Sequence, residues 1–274
     1  MSNYILYIIL LLTGLVGTYA VIPFFKNMLI TSNVIRPNYK KDMIPVSMGL
    51  VFLPMIVING IILAIFTTEY KNLLYLFMYI FGLIAMCLVG ILDDIIGNRD
   101  VSGLKGHFKS LFKGNLTTGG FKALFGGFVG ILISVAISKN IIDIGINTLI
   151  IALSTNLMNL LDLRPGRAIK VYLFLAILIF LTIAGYPKGL LLLIVPSVLV
   201  YFAHDLKAKA MMGDTGSNVL GISIGILVAM GYGLGVRVGW LVFLIFIHLL
   251  TEKYSLTKII EQNKFLNFID KLGR

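Results

Sequence analysis

Along this chain of 274 residues, long apolar blocks alternate with short polar stretches, and most blocks are about as long as a bilayer is thick. The uncharged runs predict spans near residues 4–24, 46–66, 73–92, 120–137, 141–161, 168–184, 189–203, 217–233 and 236–252. Backbone groups at an open sheet edge would find no partner in hydrocarbon, so all nine runs read as helices. The fold class expected is an all-α, polytopic transmembrane helical bundle of about nine spans over residues 1–252, followed by an amphipathic segment, 253–274. The first run has no basic residue before it and Lys26 after it, the reverse of a secretory signal, and reads as a retained span. The last two spans share about 36 residues broken by Gly231, Gly233, Gly235 and Arg237, which demands a tight hairpin. In 253–274, Ile259, Ile260, Phe265, Leu266, Ile269 and Leu272 recur at helical spacing among charges, a pattern suited to a membrane surface.

Composition agrees: 58% of residues are hydrophobic and 13% charged, against roughly 45–50% and about 25% in globular chains. With the N-terminus placed outside, the inner segments hold 19 of the 23 Lys and Arg, leaving Lys71, Lys139, Lys188 and Arg237 outside. Positive residues set orientation, so the C-terminus and the polar helix ends are expected on the cytoplasmic side of the cell membrane. Ten of the 12 acids share that side, which the rule does not demand, and any chemistry is expected there. The net charge of +11 does not form one solvated basic face, so anionic headgroups and anionic small substrates are expected as partners, and nucleic acid is not. Cys87 alone makes no disulfide framework. His107, His204 and His248 lie in separate segments, without zinc spacing, and no P-loop or nucleophile elbow occurs.

Candidate chemistry sits at the inner helix ends. Asp93 and Asp94, in Gly90-Ile91-Leu92-Asp93-Asp94-Ile95-Ile96-Gly97, are adjacent carboxylates at a membrane boundary. They repel each other and lose solvation, a cost that a divalent cation or a cationic group relieves. A helix C-terminus is also a poor place for acids on dipole grounds. Asn156, Asn159 and Asp162 recur every three residues along one helix face; an interhelical hydrogen-bond seam would explain them equally well. Met212-Gly213-Asp214-Thr215-Gly216-Ser217 opens a span: its Asp, Thr and Ser are good N-caps, and the same geometry suits a phosphate or, through Asp214, Mg²⁺. Lys40 and Lys41 precede Pro45-Val46-Ser47-Met48-Gly49; Lys105, Lys109 and Lys113 recur at intervals of four; Arg164 and Arg167 follow Asp162. Carboxylates for a metal beside cations for phosphate oxygens form the combination that matters.

Taken in order, these motifs resemble the polyprenyl-phosphate N-acetylhexosamine-1-phosphate transferase superfamily, which includes the bacterial phospho-N-acetylmuramoyl-pentapeptide transferase. The pieces that carry the resemblance are Lys40-Lys41 through Gly49, Leu92-Asp93-Asp94, Gly103-Leu104 with Lys109, Asn156 through Asp162, and Met212 through Ser217. The resemblance implies a multi-helix, Mg²⁺-dependent membrane enzyme that transfers a sugar 1-phosphate from a UDP-sugar to a polyprenyl phosphate and releases UMP. It implies Asp93, Asp94 and Asp214 as essential acids, Asp214 as a metal ligand, and Lys41, Lys109, Asn156, Asn159 and Asp162 around nucleotide and phosphates. Beside it, the residues themselves suggest Asp93 and Asp94 as the catalytic pair, Asp93 helping Asp214 with the metal, and Lys40, Arg164 and Arg167 as further cations for phosphate oxygens. By this reading Asp94 positions or deprotonates the lipid phosphate, although Asp93 and Asp94 could exchange roles.

The chain departs from the family pattern after Asp162. A Gly-rich stretch with a second Asp is replaced by Leu163-Arg164-Pro165-Gly166-Arg167, and Met211 stands where an aromatic residue is frequent. No histidine-rich loop follows span nine within these residues. An alternative is therefore a catalytically silent homologue that binds lipid phosphate or acts as a membrane scaffold. A transporter would need ionisable residues near the bilayer midplane, where the spans are almost uncharged. The sugar and the oligomeric state stay open.

Overall fold

The computed structural model describes residues 3–97 and 114–274. In chain order these form α1 (Asn3–Thr31), a hairpin of β1 (Ile35–Pro37) and β2 (Met43–Pro45), a 3-10 turn (Met48–Val51), α2 (Phe52–Ile65), α3 (Tyr70–Ile96), α4 (Thr118–Ile137), α5 (Ile141–Leu161) and α6 (Arg167–Thr182). There follow α7 (Pro187–Leu190), a second 3-10 turn (Leu191–Leu193), α8 (Val195–Leu206), α9 (Gly213–Gly231), α10 (Leu234–Lys253), α11 (Leu256–Gln262) and α12 (Lys264–Lys271). The fold is an all-α polytopic bundle.

Among the described residues, eight helical stretches are long and apolar enough to cross a membrane. The run at 168–184, expected to be a ninth, is α6. It has 16 residues and runs from the Asp162 end of the bundle to the opposite end, where the Thr182 hydroxyl meets that of Tyr232 in the α9–α10 hairpin. Gly185, with φ of 74°, and Pro187 end the helical register there. α1 runs past the expected end at residue 24 to Thr31, because Leu29 in its last turns is buried against the bundle. The tight hairpin expected between the last two spans is present, with only Tyr232 and Gly233 between α9 and α10.

α9 is the central helix: every residue from Thr215 through Ala229 is buried. Lipid supplies no hydrophobic drive between helices, so close van der Waals contact must hold them. Ser217, Gly221 and Gly225, four residues apart, face α5, and a Cβ on Gly221 would stand 2.6 Å from the Ser154 carbonyl. α3 covers another side of α9, where the Asn218 side chain donates to the Met86 carbonyl at 3.4 Å. α10 lies at the periphery with Leu244 as its buried residue. The exposed apolar side chains of α1, α2, α4 and α10 face where lipid would lie.

Candidate active site

The segment Pro45–Gly49 and the approach to the Asp214 motif, remote in sequence, are zipped together through their backbones. Met211 N–H donates to the Pro45 carbonyl at 2.8 Å, while Met48 and Gly49 N–H donate to the Met211 and Met212 carbonyls at 3.0 Å. This clamp places the start of α9 beside the end of α3. Gly213 lies at the join with φ of 71°, a left-handed conformation that leaves no room for a Cβ against the Asp94 carboxylate.

Asp94 is buried and its carboxylate is fully engaged. Oδ1 accepts the Asp214 N–H at 2.9 Å. Oδ2 accepts the Thr215 N–H at 3.1 Å, the Thr215 hydroxyl at 2.6 Å and the Ser47 hydroxyl at 2.9 Å. It caps α9 from another helix, satisfying amides that no intrahelical carbonyl reaches, and its charge favours the positive end of the helix dipole. The Arg36 guanidinium holds the Asp94 main-chain carbonyl at 2.5 Å. In this arrangement the oxygens of Asp94, expected to meet the lipid phosphate, position the Asp214 backbone and the start of α9.

Asp93 and Asp214 behave differently. Their carboxylates meet at the Lys122 ammonium, which lies 2.9 Å from Asp93 Oδ2 and also contacts Asp214 Oδ2. Lys122 stands in the first turns of α4, which is started by the Thr117 hydroxyl accepting from Gly120 N–H at 3.0 Å. All three side chains are partly open, at 17%, 21% and 31% exposure for Asp93, Lys122 and Asp214. Lys122 was not foreseen, although an ionisable residue inside an apolar span is a functional signal by default.

Asp162 lies at the end of α5, close enough to feel other carboxylates. Burial, with Asp205, Asp214 and Asp94 nearby, pushes its carboxyl well above the usual carboxylate range. Asp205, a second residue that sequence reasoning missed, is buried and takes the Gly166 N–H at 2.7 Å. Its carboxylate also accepts from the Met212 amide, which staples the loop after Asp162 to the approach of α9. Asn159 donates to Asn218 Oδ1 at 2.6 Å and accepts from the Ser217 hydroxyl, a seam between α5 and α9.

Several expected site residues are elsewhere. Asn156 is exposed rather than stacked into that seam. Lys40 and Lys41 stand exposed on the β1–β2 hairpin tip, with Lys40 over the Tyr39 ring at 5.5 Å from its centroid. Arg164 pairs with Glu261 at 3.3 Å, and Arg167 is buried in a two-pronged pair with Asp270 at 2.8 and 2.9 Å. Both arginines, expected near phosphate, fasten the segment 256–274. Lys105, Lys109, Lys113, Gly103, Leu104 and His107 lie outside the described residues. His204 stacks on Tyr201, and His248 Nδ1 meets the Leu244 carbonyl at 2.7 Å.

Among the described residues, no group of three or more His, Cys, Asp or Glu side chains is disposed to hold a metal ion alone. The donor set at Asp93 and Asp214 still fits Mg²⁺ in its common mode, one or two carboxylates with the remaining positions filled by water and substrate phosphate. Lys122 lies between them, so the two carboxylates already share one positive group. Beside it, an apolar hollow of about 370 Å³ runs along α3 and α4, lined by Phe81, Ile84, Ala85, Leu88, Val89, Leu92, Phe121 and Phe125. A smaller one of about 130 Å³ shares Val89, Leu92 and Phe121 and reaches Asp93.

The chain is similar to two curated proteins, both phospho-N-acetylmuramoyl-pentapeptide-transferases. One, from Clostridium botulinum (strain Eklund 17B / Type B), is 28% identical over 202 residues, covering 69% of this chain and 60% of the relative. The other, from Thermotoga maritima (strain ATCC 43589 / DSM 3109 / JCM 10099 / NBRC 100826 / MSB8), is 30% identical over 163 residues, covering 54% of this chain and 51% of the relative. No family model matches. The resemblance to the transferase superfamily thus rests on similarity along more than half of the chain as well as on motifs, while the chain spans only half to three fifths of these relatives.

Proposed function

We propose that this protein transfers a sugar 1-phosphate from a UDP-sugar of the N-acetylhexosamine type to a polyprenyl phosphate and releases UMP. The observation that carries the reading is the meeting of Asp93 and Asp214, 121 positions apart in sequence, on one ammonium at the polar end of the bundle. The excess of basic residues argues that this end faces the cytoplasm, with the N-terminus outside.

In this reaction an oxygen of the acceptor phosphate attacks the β-phosphorus of the UDP-sugar. The bond from that phosphorus to the bridging oxygen breaks, and the electron pair leaves on UMP. Such a transfer needs positioning and charge neutralisation more than covalent help from the protein. Asp214 and Asp93 would hold Mg²⁺, which when bound supplies charge neutralisation across the diphosphate. Lys122 would shift from the carboxylates to a phosphate oxygen, meeting the charge that grows on the phosphoryl group. Asp94, Thr215 and Ser47 keep Asp214 in place, and Asp205 holds the Asp162 loop against it. The hollow along α3 and α4 suits the isoprenoid of the acceptor, leaving its phosphate near Asp93 and Lys122.

The test is UMP release and lipid-linked product in proteoliposomes that contain polyprenyl phosphate and a panel of radiolabelled UDP-sugars, with and without Mg²⁺. Product with one sugar, lost in Asp214→Asn, is expected. Turnover undiminished in Asp214→Asn would sink the metal assignment. A second reading, a silent homologue that binds lipid phosphate, is favoured by Lys122 bridging both carboxylates and by the arginines being spent on segment 256–274. Saturable polyprenyl-phosphate binding with no product across the panel would select it.

A further inference from the structure

Helix α12 is built inside out for a helix in water. Phe265, Phe268, Ile269 and Leu272, on and just beyond it, face outward at 69%, 65%, 39% and 56% exposure, whereas Asp270 points inward and is 7% exposed. The inward side is polar because it is bolted down. Asp270 takes both prongs of Arg167 and a further bond from Arg274 at 2.9 Å. Lys170 Nζ donates to the carbonyls of Ile269 and Asp270 at 2.9 Å each, which satisfies acceptors at the helix end. At its start, Asn263 Oδ1 caps the amides of Phe265 and Leu266 at 3.1 Å.

The bolts also set the helix's height. Arg167 opens α6, and Gly273 lies against Leu206, the last residue of α8. α12 therefore lies at the level where these helices of the bundle end. Lys264 and Lys271 flank its apolar side, and residues 253–274 hold five cations against two acids. An apolar face at the end of a bundle, rimmed by lysines, matches a leaflet with apolar chains below and anionic headgroups around.

We propose that α12 is an interfacial anchor that lays Phe265, Phe268, Ile269 and Leu272 into the headgroup–acyl boundary of an anionic leaflet. The Arg167–Asp270 pair holds it in that attitude. The anchor is independent of catalysis, so it can be tested without substrate.

The full chain, carrying Cys87→Ala to remove its buried thiol, is placed in nanodiscs of mixed phosphatidylglycerol and phosphatidylcholine. An environment-sensitive fluorophore is attached at Phe268→Cys, at Leu272→Cys or, on the charged rim, at Lys271→Cys. Doxyl-labelled lipid is expected to quench the first two labels, and iodide to quench them several-fold less than the third. Removing phosphatidylglycerol is expected to weaken the doxyl quenching. Iodide reaching all three equally would overturn the proposal, as would shielding of 268 and 272 from both quenchers, which would mean that protein covers the face. Doxyl quenching that ignores headgroup charge would overturn the anionic assignment.

Discussion

Replacing Asp94 by Asn isolates the difference between holding a site together and acting in it. The Asp94 carboxylate takes four hydrogen bonds, from Ser47, Asp214 and twice from Thr215, at 2.6 to 3.1 Å. An amide of the same shape keeps one acceptor oxygen and turns an NH₂ towards donors, so at least one of these bonds is lost and a donor–donor clash appears. Bonds to a charged acceptor contribute about 1.5–3 kcal/mol each. Loss of the negative charge at the start of α9 adds roughly 0.3–1 kcal/mol. Because such effects overlap, a total of about 3–4 kcal/mol is expected, which at roughly 2–4 °C per kcal/mol lowers Tm by about 10 °C. Asp214→Asn is the control: its carboxylate is 31% exposed and shares one ammonium with Asp93, so Tm should stay within about 2 °C. The assay is thermal unfolding followed by fluorescence of Trp240, alongside UMP release. Asp94→Asn is expected to lose stability and activity together, Asp214→Asn activity alone. An Asp94→Asn protein with unchanged Tm and no turnover would refute the positioning role and return Asp94 to the chemistry.

The other predictions concern charges near the same end. Lys122→Met leaves Asp93 and Asp214 without their shared cation, so the rise in Tm on adding MgCl₂ should be larger than in the unsubstituted protein; equal rises would contradict competition for one spot. Burial and then Asp205, Asp214 and Asp94 raise the Asp162 carboxyl in the folded protein, so its proton is held more tightly than in the unfolded chain. The stability it contributes is present below the unfolded value and is lost as pH rises through the folded one; Asp162→Asn should flatten that fall in Tm as pH rises above about 4. Burial would raise Asp270, but Arg167 and Arg274 outweigh it and hold its carboxyl below the usual range. Its contribution is therefore present above about pH 4 and fades as pH falls through the folded value. Asp270→Asn leaves Arg167 buried without its charge partner, a loss of about 3 kcal/mol, and should expose residues 264–271 to trypsin at neutral pH but make little further difference at the acid end.

Much of this fold was legible because apolar run length is a direct physical constraint in a bilayer. The runs gave every long helix, and the glycines at 231 and 233 gave the α9–α10 hairpin. At the site, the spacing of motifs pointed to Asp93, Asp94 and Asp214 but could not rank them. Which acid is saturated depends on where Ser47 and Thr215 fall in space, and the backbone clamp between residues 45–49 and 211–212 decides that. Lys122 was readable in principle, as a charge in an apolar run. Arg164 and Arg167 read as phosphate ligands because they follow Asp162; their partners Glu261 and Asp270 lie about 100 residues away, beyond the reach of local pattern.

The acids at this end of the bundle are sorted by what already surrounds them. Asp94 is consumed by the start of α9, Asp205 by the amides of Gly166 and Met212, and Asp270 by Arg167 and Arg274. Each is buried, and each fixes a backbone segment that borders the remaining pair. Asp93 and Asp214 are partly open and converge on Lys122, with Asp162 close by. Gathering carboxyl groups in a region of reduced dielectric disfavours their charged forms, a cost that a cation at the spot relieves. The departure after Asp162 fits this sorting. Arginines there are drawn outward, Arg164 to Glu261 of α11 and Arg167 to Asp270 of α12, and Lys122 is the cation that the open pair shares.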